Sequence, residues 1–284
     1  MRRFWVEPWG LVLALGLTLS LCAGGPPAEA SEPNPFDEKA ALAYSQAAIG
    51  RQVGDHGFLD TARAPVSLSD FRGKPLVVNL VFTSCSTTCP VIVQSLHRSV
   101  RIANGALGAD AFNVVTIGFD TDRDTPEQMQ AYRASQGVRL PNWTFLAAEK
   151  TTIEALSREV GFIYFPSPRG FDHLTTTTIL DADGTVFRHV YGDAFEPPAV
   201  VEPLKDLVWG RFSPVTDMAG LLDRIRLICT IYDPNTDRYQ FDYAIFFGIF
   251  AGIVSLGGIG FVLGRAWFGT RRRGIGARPG AVRQ

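Results

Sequence analysis

Residues 75–90 read P-L-V-V-N-L-V-F-T-S-C-S-T-T-C-P, and the fold follows from how this stretch changes character. Leu76 to Phe82 is a continuous run, apolar except for Asn79, which suits a strand covered on both faces. From Pro90 to about Asn104 the apolar residues Val91, Val93, Leu96 and Val100 recur near helical spacing, with proline at the helix start. Two cysteines, Cys85 and Cys89, lie between strand and helix. Four residues apart at a helix start, they can turn both sulfurs to one side, near backbone N–H groups and the positive end of the helix dipole. Such surroundings favour thiolates, the state required to attack a disulfide or to hold a soft metal. A structural disulfide is the plain alternative.

Outward from this stretch the same alternation continues. A second apolar run covers Phe112 to Phe119, and Thr125-Pro126-Glu127 opens a helix to about Ser135. Trp143 to Leu146 reads as a short strand and Thr151 to Val160 as a helix. Thr175 to Leu180 and Val186 to Tyr191 flank the turn Asp181-Ala-Asp-Gly184 as a hairpin, and a last helix falls near Pro198 to Val208. Residues 31–51 read as a linker, with an accessory helix around Lys39 to Ala48. Strands alternating with helices and closing on a hairpin predict an α/β sandwich over residues 52–212.

The ends predict targeting. Arg2 and Arg3, an apolar stretch to Cys22 and the small-residue run before Ser31 match a secretory signal over residues 1–30. A lipoprotein signal anchored at Cys22 competes, although Leu21 stands where such signals use a small residue. Ala244 to Leu263 is uncharged for about 20 residues, enough to span roughly 30 Å, so residues 241–264 are expected to form one transmembrane helix. The basic residues of segment 265–284 keep that tail cytoplasmic, and the main domain faces the periplasmic or outer side of the cell membrane. Residues 213–240 form a juxtamembrane segment that includes Cys229, read either as a small buried residue or as a handover thiol.

Composition narrows the function. The chain has 284 residues, 46% apolar and 19% charged, which excludes a disordered tail and a collagen-like chain. Residues 31–240 carry 19 Lys and Arg against 25 Asp and Glu, a net charge of −6, whereas residues 265–284 carry six Arg and no acid. With the positive charge outside the folded part, no nucleic-acid partner is expected. An oxidising compartment makes the cysteines candidates for pairing.

The motifs D-F-R-G-K-P at 70–75, C-S-T-T-C-P at 85–90, D-T-D-R-D-T-P at 120–126 and F-D-H-L-T at 171–175 followed by L-D-A-D-G resemble the Sco/SenC family, thioredoxin-fold copper proteins of cytochrome c oxidase assembly. The resemblance covers roughly residues 52–210. It implies a thioredoxin-like fold, copper as the metal, Cys85, Cys89 and His173 as its ligands, and a copper-containing subunit of a cytochrome oxidase as partner beside the lipid bilayer. Two departures stand out: Ser86, Thr87 and Thr88 are neutral where the family often has an acid, and Asp122 stands where proline is common.

The residues themselves agree with that chemistry. Two thiolates and one imidazole form a soft set suited to cuprous ion, whereas a closed zinc site wants four ligands. His56, His97 and His189 have no comparable support, and Asp172 and the run Asp120 to Asp124 read as supports or caps. The leading function is a membrane-anchored copper chaperone. The alternative is a thiol–disulfide oxidoreductase with Cys85 and Cys89 as its redox pair, although three intervening residues exceed the usual C-x-x-C spacing. A peroxidase would want Thr or Ser three residues before the reactive cysteine, where Phe82 precedes Cys85.

Overall fold

The computed structural model describes residues 36–210, 230–234, 236 and 238–274. The expected signal segment 1–30 with Cys22, residues 213–229 with Cys229, and residues 275–284 of the basic tail lie outside the described residues.

The apolar run of the opening stretch is the centre of the fold. Strand β3 (Leu76–Val81) is buried at every position, because a parallel partner, β4 (Asn113–Gly118), lies on one side and an antiparallel one, β8 (Thr176–Leu180), on the other. The whole sheet has seven strands in the order β2-β1-β5-β4-β3-β8-β9. Here β1 is Gly57–Asp60, β2 Pro65–Ser67, β5 Trp143–Ala147 and β9 Val186–Tyr191. Parallel neighbours need long crossovers, and helices α2 (Thr88–Leu107) and α3 (Pro126–Ser135) provide them between β3, β4 and β5. Helices α1 (Glu38–Gln46), α4 (Lys150–Val160) and α5 (Pro198–Val208) complete the layers. The α/β sandwich and its closing hairpin thus match the sequence expectation.

Three pieces were not foreseen: the β1–β2 hairpin that extends one sheet edge, a separate two-stranded ribbon of β6 (Tyr164–Ser167) and β7 (Gly170–His173), and a second ribbon of β10 (Thr230–Asp233) and β11 (Arg238–Phe241). Each is short, and short strands give too few alternations for a period to be read. The accessory helix is present as α1, capped by the Asp37 carboxylate on the Lys39 and Ala40 amides. At the far end, α6 (Ala244–Gly274) follows β11 after two residues, and Asp242 accepts the Ala244 amide at 2.8 Å. Its segment Phe246–Arg265 is long and apolar enough to cross a membrane, and none of it is buried inside the protein.

The core packs tightly around β4 and β5. Trp143 is 1% exposed and donates its indole N–H to Thr116 Oγ1 at 2.9 Å, so the largest side chain brings no unpaired donor inside.

Candidate metal centre

Cys85 lies in the connection from β3 to α2 and Cys89 in the first turn of α2, at the C-terminal ends of the parallel strands, where open α/β sheets place their sites. Helix α2 begins after Thr87 without any side-chain cap. The Cys85 sulfur takes that role, accepting the Cys89 amide at 3.4 Å. The local sequence explains this: Pro90 fixes helical backbone in the first turn without needing a donor there, and the amides ahead of it are left pointing at the sulfur.

Both cysteines are free thiols, Cys85 half-buried and Cys89 buried. Their electrostatics diverge. Burial pushes the Cys85 thiol up, but the amides of Cys89 and Thr87, the Cys89 thiol and the Thr88 amide outweigh it, leaving Cys85 below the ordinary thiol value. Cys89 goes strongly the other way, raised first by burial and then by the Cys85 and Asp124 charges, against one lowering hydrogen bond with the Phe82 backbone. The sequence expectation of a helix dipole acting on both sulfurs therefore holds only for Cys85, because at Cys89 desolvation exceeds the dipole.

His173 ends β7, cross-strand from Tyr164. Its ring stands in a box of aromatic rings, with centroids 5.3 Å from Phe162, 5.6 Å from Phe119 and 6.2 Å from Phe82. Nδ1 lies 3.1 Å from the Leu174 carbonyl. A carbonyl only accepts, so Nδ1 carries the proton and Nε2 keeps its lone pair. Burial holds the imidazole below its usual pKa, over the opposing pull of the Leu174 carbonyl and the Asp172 charge, so the ring is neutral, as a ligand must be.

The structure brings Cys85 and Cys89 together. His173 comes to the same end of the sheet by resting edge-on against Phe82, the residue whose carbonyl accepts the Cys85 amide at 3.1 Å. Among the described residues no three His, Cys, Asp or Glu side chains stand as a closed metal cluster. The chemistry of the donors nonetheless fits a soft ion: an accessible low-pKa sulfur, a second sulfur beside it and an imidazole with a free Nε2.

Two features complete the site, and the second lies in the run Asp120 to Asp124 that the sequence had already marked as a support or cap. One is the aromatic box, signalled only by the aromatics flanking Ser167-Pro-Arg-Gly170. The other is Asp124, 2% exposed, which joins the loop after β3 to the loop after β4. It accepts the Thr83 amide at 2.9 Å, the Thr83 hydroxyl at 2.7 Å and the Asp120 amide at 2.9 Å. Burial raises its carboxyl against these three hydrogen bonds. Gly118 makes room for it, since a Cβ there would lie 2.4 Å from the Asp124 Cβ.

Comparison with known proteins gives one consistent answer. The family model described as SCO1/SenC matches residues 46–208. The chain is 25% identical over 134 residues to the SCO1 protein homolog of Bacillus subtilis, covering 45% of this chain and 67% of that protein. It is 27% identical over 169 residues to the mitochondrial SCO2 homolog of Mus musculus, covering 57% of this chain and 64% of that protein. The match thus spans about two thirds of these relatives' length. The crystal structure of yeast Sco1 with copper bound has the same fold, with a TM-score of 0.50 at 14% identity over 61% of this chain and 98% of that one.

Proposed function

The chain belongs to the SCO1/SenC family, and from that premise we propose that it is a membrane-anchored copper chaperone, with copper as its cargo, that supports assembly of the copper site of cytochrome c oxidase. Cys85, Cys89 and His173 would hold the ion. The observation that carries this reading is the prepared state of His173: neutral, with Nδ1 tied to the Leu174 carbonyl and Nε2 free, at the sheet end that bears the two sulfurs. An imidazole tied back through Nδ1 presents the lone pair of Nε2 to an incoming soft ion. Helix α6 supports the anchoring, with the main domain on the periplasmic or outer side and the tail in the cytoplasm; tethering raises the effective concentration near a membrane-bound oxidase subunit without any added contact.

A second reading, thiol–disulfide exchange on the cysteines of the oxidase copper site, is favoured by the divergence of the two thiols. Cys85 is accessible and lowered, as an attacking sulfur should be; Cys89 is buried and protonated, as a resolving one can be.

The test is copper titration of the reduced, detergent-solubilised full chain beside His173→Ala and Cys85→Ser. About one copper per chain with thiolate-to-cupric absorption, weakened in the first variant and abolished in the second, is expected. No uptake in any protein, with ready disulfide exchange in the wild type and His173→Ala, would move the assignment to the oxidoreductase.

A further inference from the structure

Helix α3 buries one stripe, Pro126, Met129 and Tyr132, at a spacing that turns all three toward the sheet. Tyr132 is 7% exposed, and its enclosed hydroxyl has no hydrogen-bond partner. Such groups are rare in folded proteins, because an enclosed hydroxyl forfeits its bonds to water. The Asp124 carboxylate, whose charge reaches this phenol, already accepts from the Thr83 amide, the Thr83 hydroxyl and the Asp120 amide. The fold therefore keeps a protected donor near the thiols and gives it nothing to bond.

Helix packing sets where this donor lies. The Gln94 side-chain amide of α2 donates to the Gln136 carbonyl at the end of α3, at 2.8 Å, which places the two helices side by side. One turn back from that tie on α3 is Tyr132, and five residues back on α2 is Cys89, 0% exposed. Met129, in the turn before Tyr132, covers the end of β4: a Cβ on Gly118 would lie 2.9 Å from its Sδ. The Tyr132 ring lies 6.5 Å from that of Phe145, and long side chains on a helix lean toward its N-terminus. The hydroxyl is thus carried toward the last residues of β3 and β4, where the Cys89 sulfur shares a hydrogen bond with the Phe82 backbone. After burial, the charges of Cys89, Cys85 and Asp124, in that order, hold the phenol above its ordinary pKa, so the oxygen keeps its proton and is a donor.

We propose that the Tyr132 hydroxyl donates a hydrogen bond to the Cys89 sulfur when that sulfur holds a soft cation, which makes Tyr132 a positioning residue for the second thiolate of the site. The proposal rests on the reading of Cys89 as a ligand. Acceptor strength supplies the reason for an unpaired donor in the metal-free protein. A thiol sulfur is a weak acceptor, whereas a metal-held thiolate, its proton displaced to solvent as the ion binds, is a charged and stronger one. A thiolate in so enclosed a place needs its remaining charge met, and hydrogen bonds from beyond the ligands fix both the direction and the donor strength of the sulfur. Cys85 is served by backbone amides; for Cys89 the phenol adds a side-chain donor to the Phe82 backbone.

The experiment compares the reduced, detergent-solubilised full chain with Tyr132→Phe, which removes one oxygen and keeps the ring. Cuprous affinity is read by competition with a chromophoric chelator. The phenol itself is read from the tyrosine doublet in ultraviolet resonance Raman difference spectra, wild type minus variant, before and after loading with cuprous ion. Expected is an affinity on the order of tenfold lower in the variant, with a difference spectrum that moves to the hydrogen-bond-donor pattern on loading. The urea midpoint of the copper-free variant should equal or exceed that of the wild type, because no bond is lost there. Equal affinities, or a difference spectrum that copper does not move, would overturn the proposal. A lower copper-free midpoint would return the hydroxyl to the fold and overturn it as well. A wild type that takes up no copper removes the ligand premise and the proposal with it, whereas copper uptake with equal affinities removes the proposal alone.

Discussion

The carboxylate of Asp124 accepts both the backbone N–H and the hydroxyl of Thr83, at 2.9 and 2.7 Å. This pair ties the segment that carries Cys85 to the loop after β4. Replacing Asp124 with Ala leaves the Thr83 and Asp120 donors unpaired in a buried place and should lower stability by about 3 kcal/mol. Asn, which keeps acceptor and shape, should lose less. Urea unfolding of the two variants checks this, and equal midpoints for Ala and wild type would remove the latch from the account.

Gly170 has φ +114°, and a Cβ there would lie 2.6 Å from Phe82 Cε2. Ala at this position should be strained by both backbone and contact, destabilising by about 1–3 kcal/mol. Because Phe82 also touches His173, copper binding should weaken more than stability falls. Hydrogen exchange of residues 164–173 gives a second reading: a lone two-stranded ribbon is marginal, and copper should slow its exchange in the wild type.

The two thiols should react in order. With Cys85 lowered and Cys89 raised, the thiolate fraction at neutral pH resides on Cys85, so iodoacetamide labels Cys85 first, and its rate should level off at a lower pH than for a free thiol. In Cys85→Ser, Cys89 should label slowly throughout. Mass-resolved labelling across pH decides; Cys89 reacting first would reverse the assigned roles.

Two histidines outside the proposed copper set should make the fold sensitive to acid. Burial lowers His97, helped by the Arg101 charge, and burial lowers His189 against the opposing pull of the Ser45 backbone carbonyl. Their folded values lie below the unfolded one, so the contribution is intact above about pH 6.5 and is lost as pH falls further. The urea midpoint should decline across that window. His189→Gln can keep a partner for Thr178, now 3.0 Å from Nδ1, and should flatten the slope; an unchanged slope in that variant would assign the effect elsewhere.

The sequence was legible where patterns are long or chemistry is concentrated. Leu76 to Val81 reads as a doubly covered strand because only Asn79 interrupts its apolar residues on either face, and Thr125-Pro126 reads as a helix start. Cys85, Cys89 and His173 could be nominated as ligands because thiols and imidazoles are few and their motifs specific. The β6–β7 ribbon was not legible, since four-residue strands carry no clear period, and its aromatic box gathers Phe82, Phe119 and Phe162 from distant parts of the chain.

By itself, then, the sequence determined the order of the longer strands and helices between Leu76 and Val208, the apolar length of α6 and which residues carry the soft donors, all of which depend on near neighbours and residue type. Tertiary structure alone decided that Cys85 is lowered while Cys89 is raised, that His173 keeps Nε2 free, that Asp124 joins two loops, and that the Tyr132 hydroxyl is enclosed without a partner. Each of these depends on burial and on distances between residues remote in the chain, and both are set only when the sheet closes.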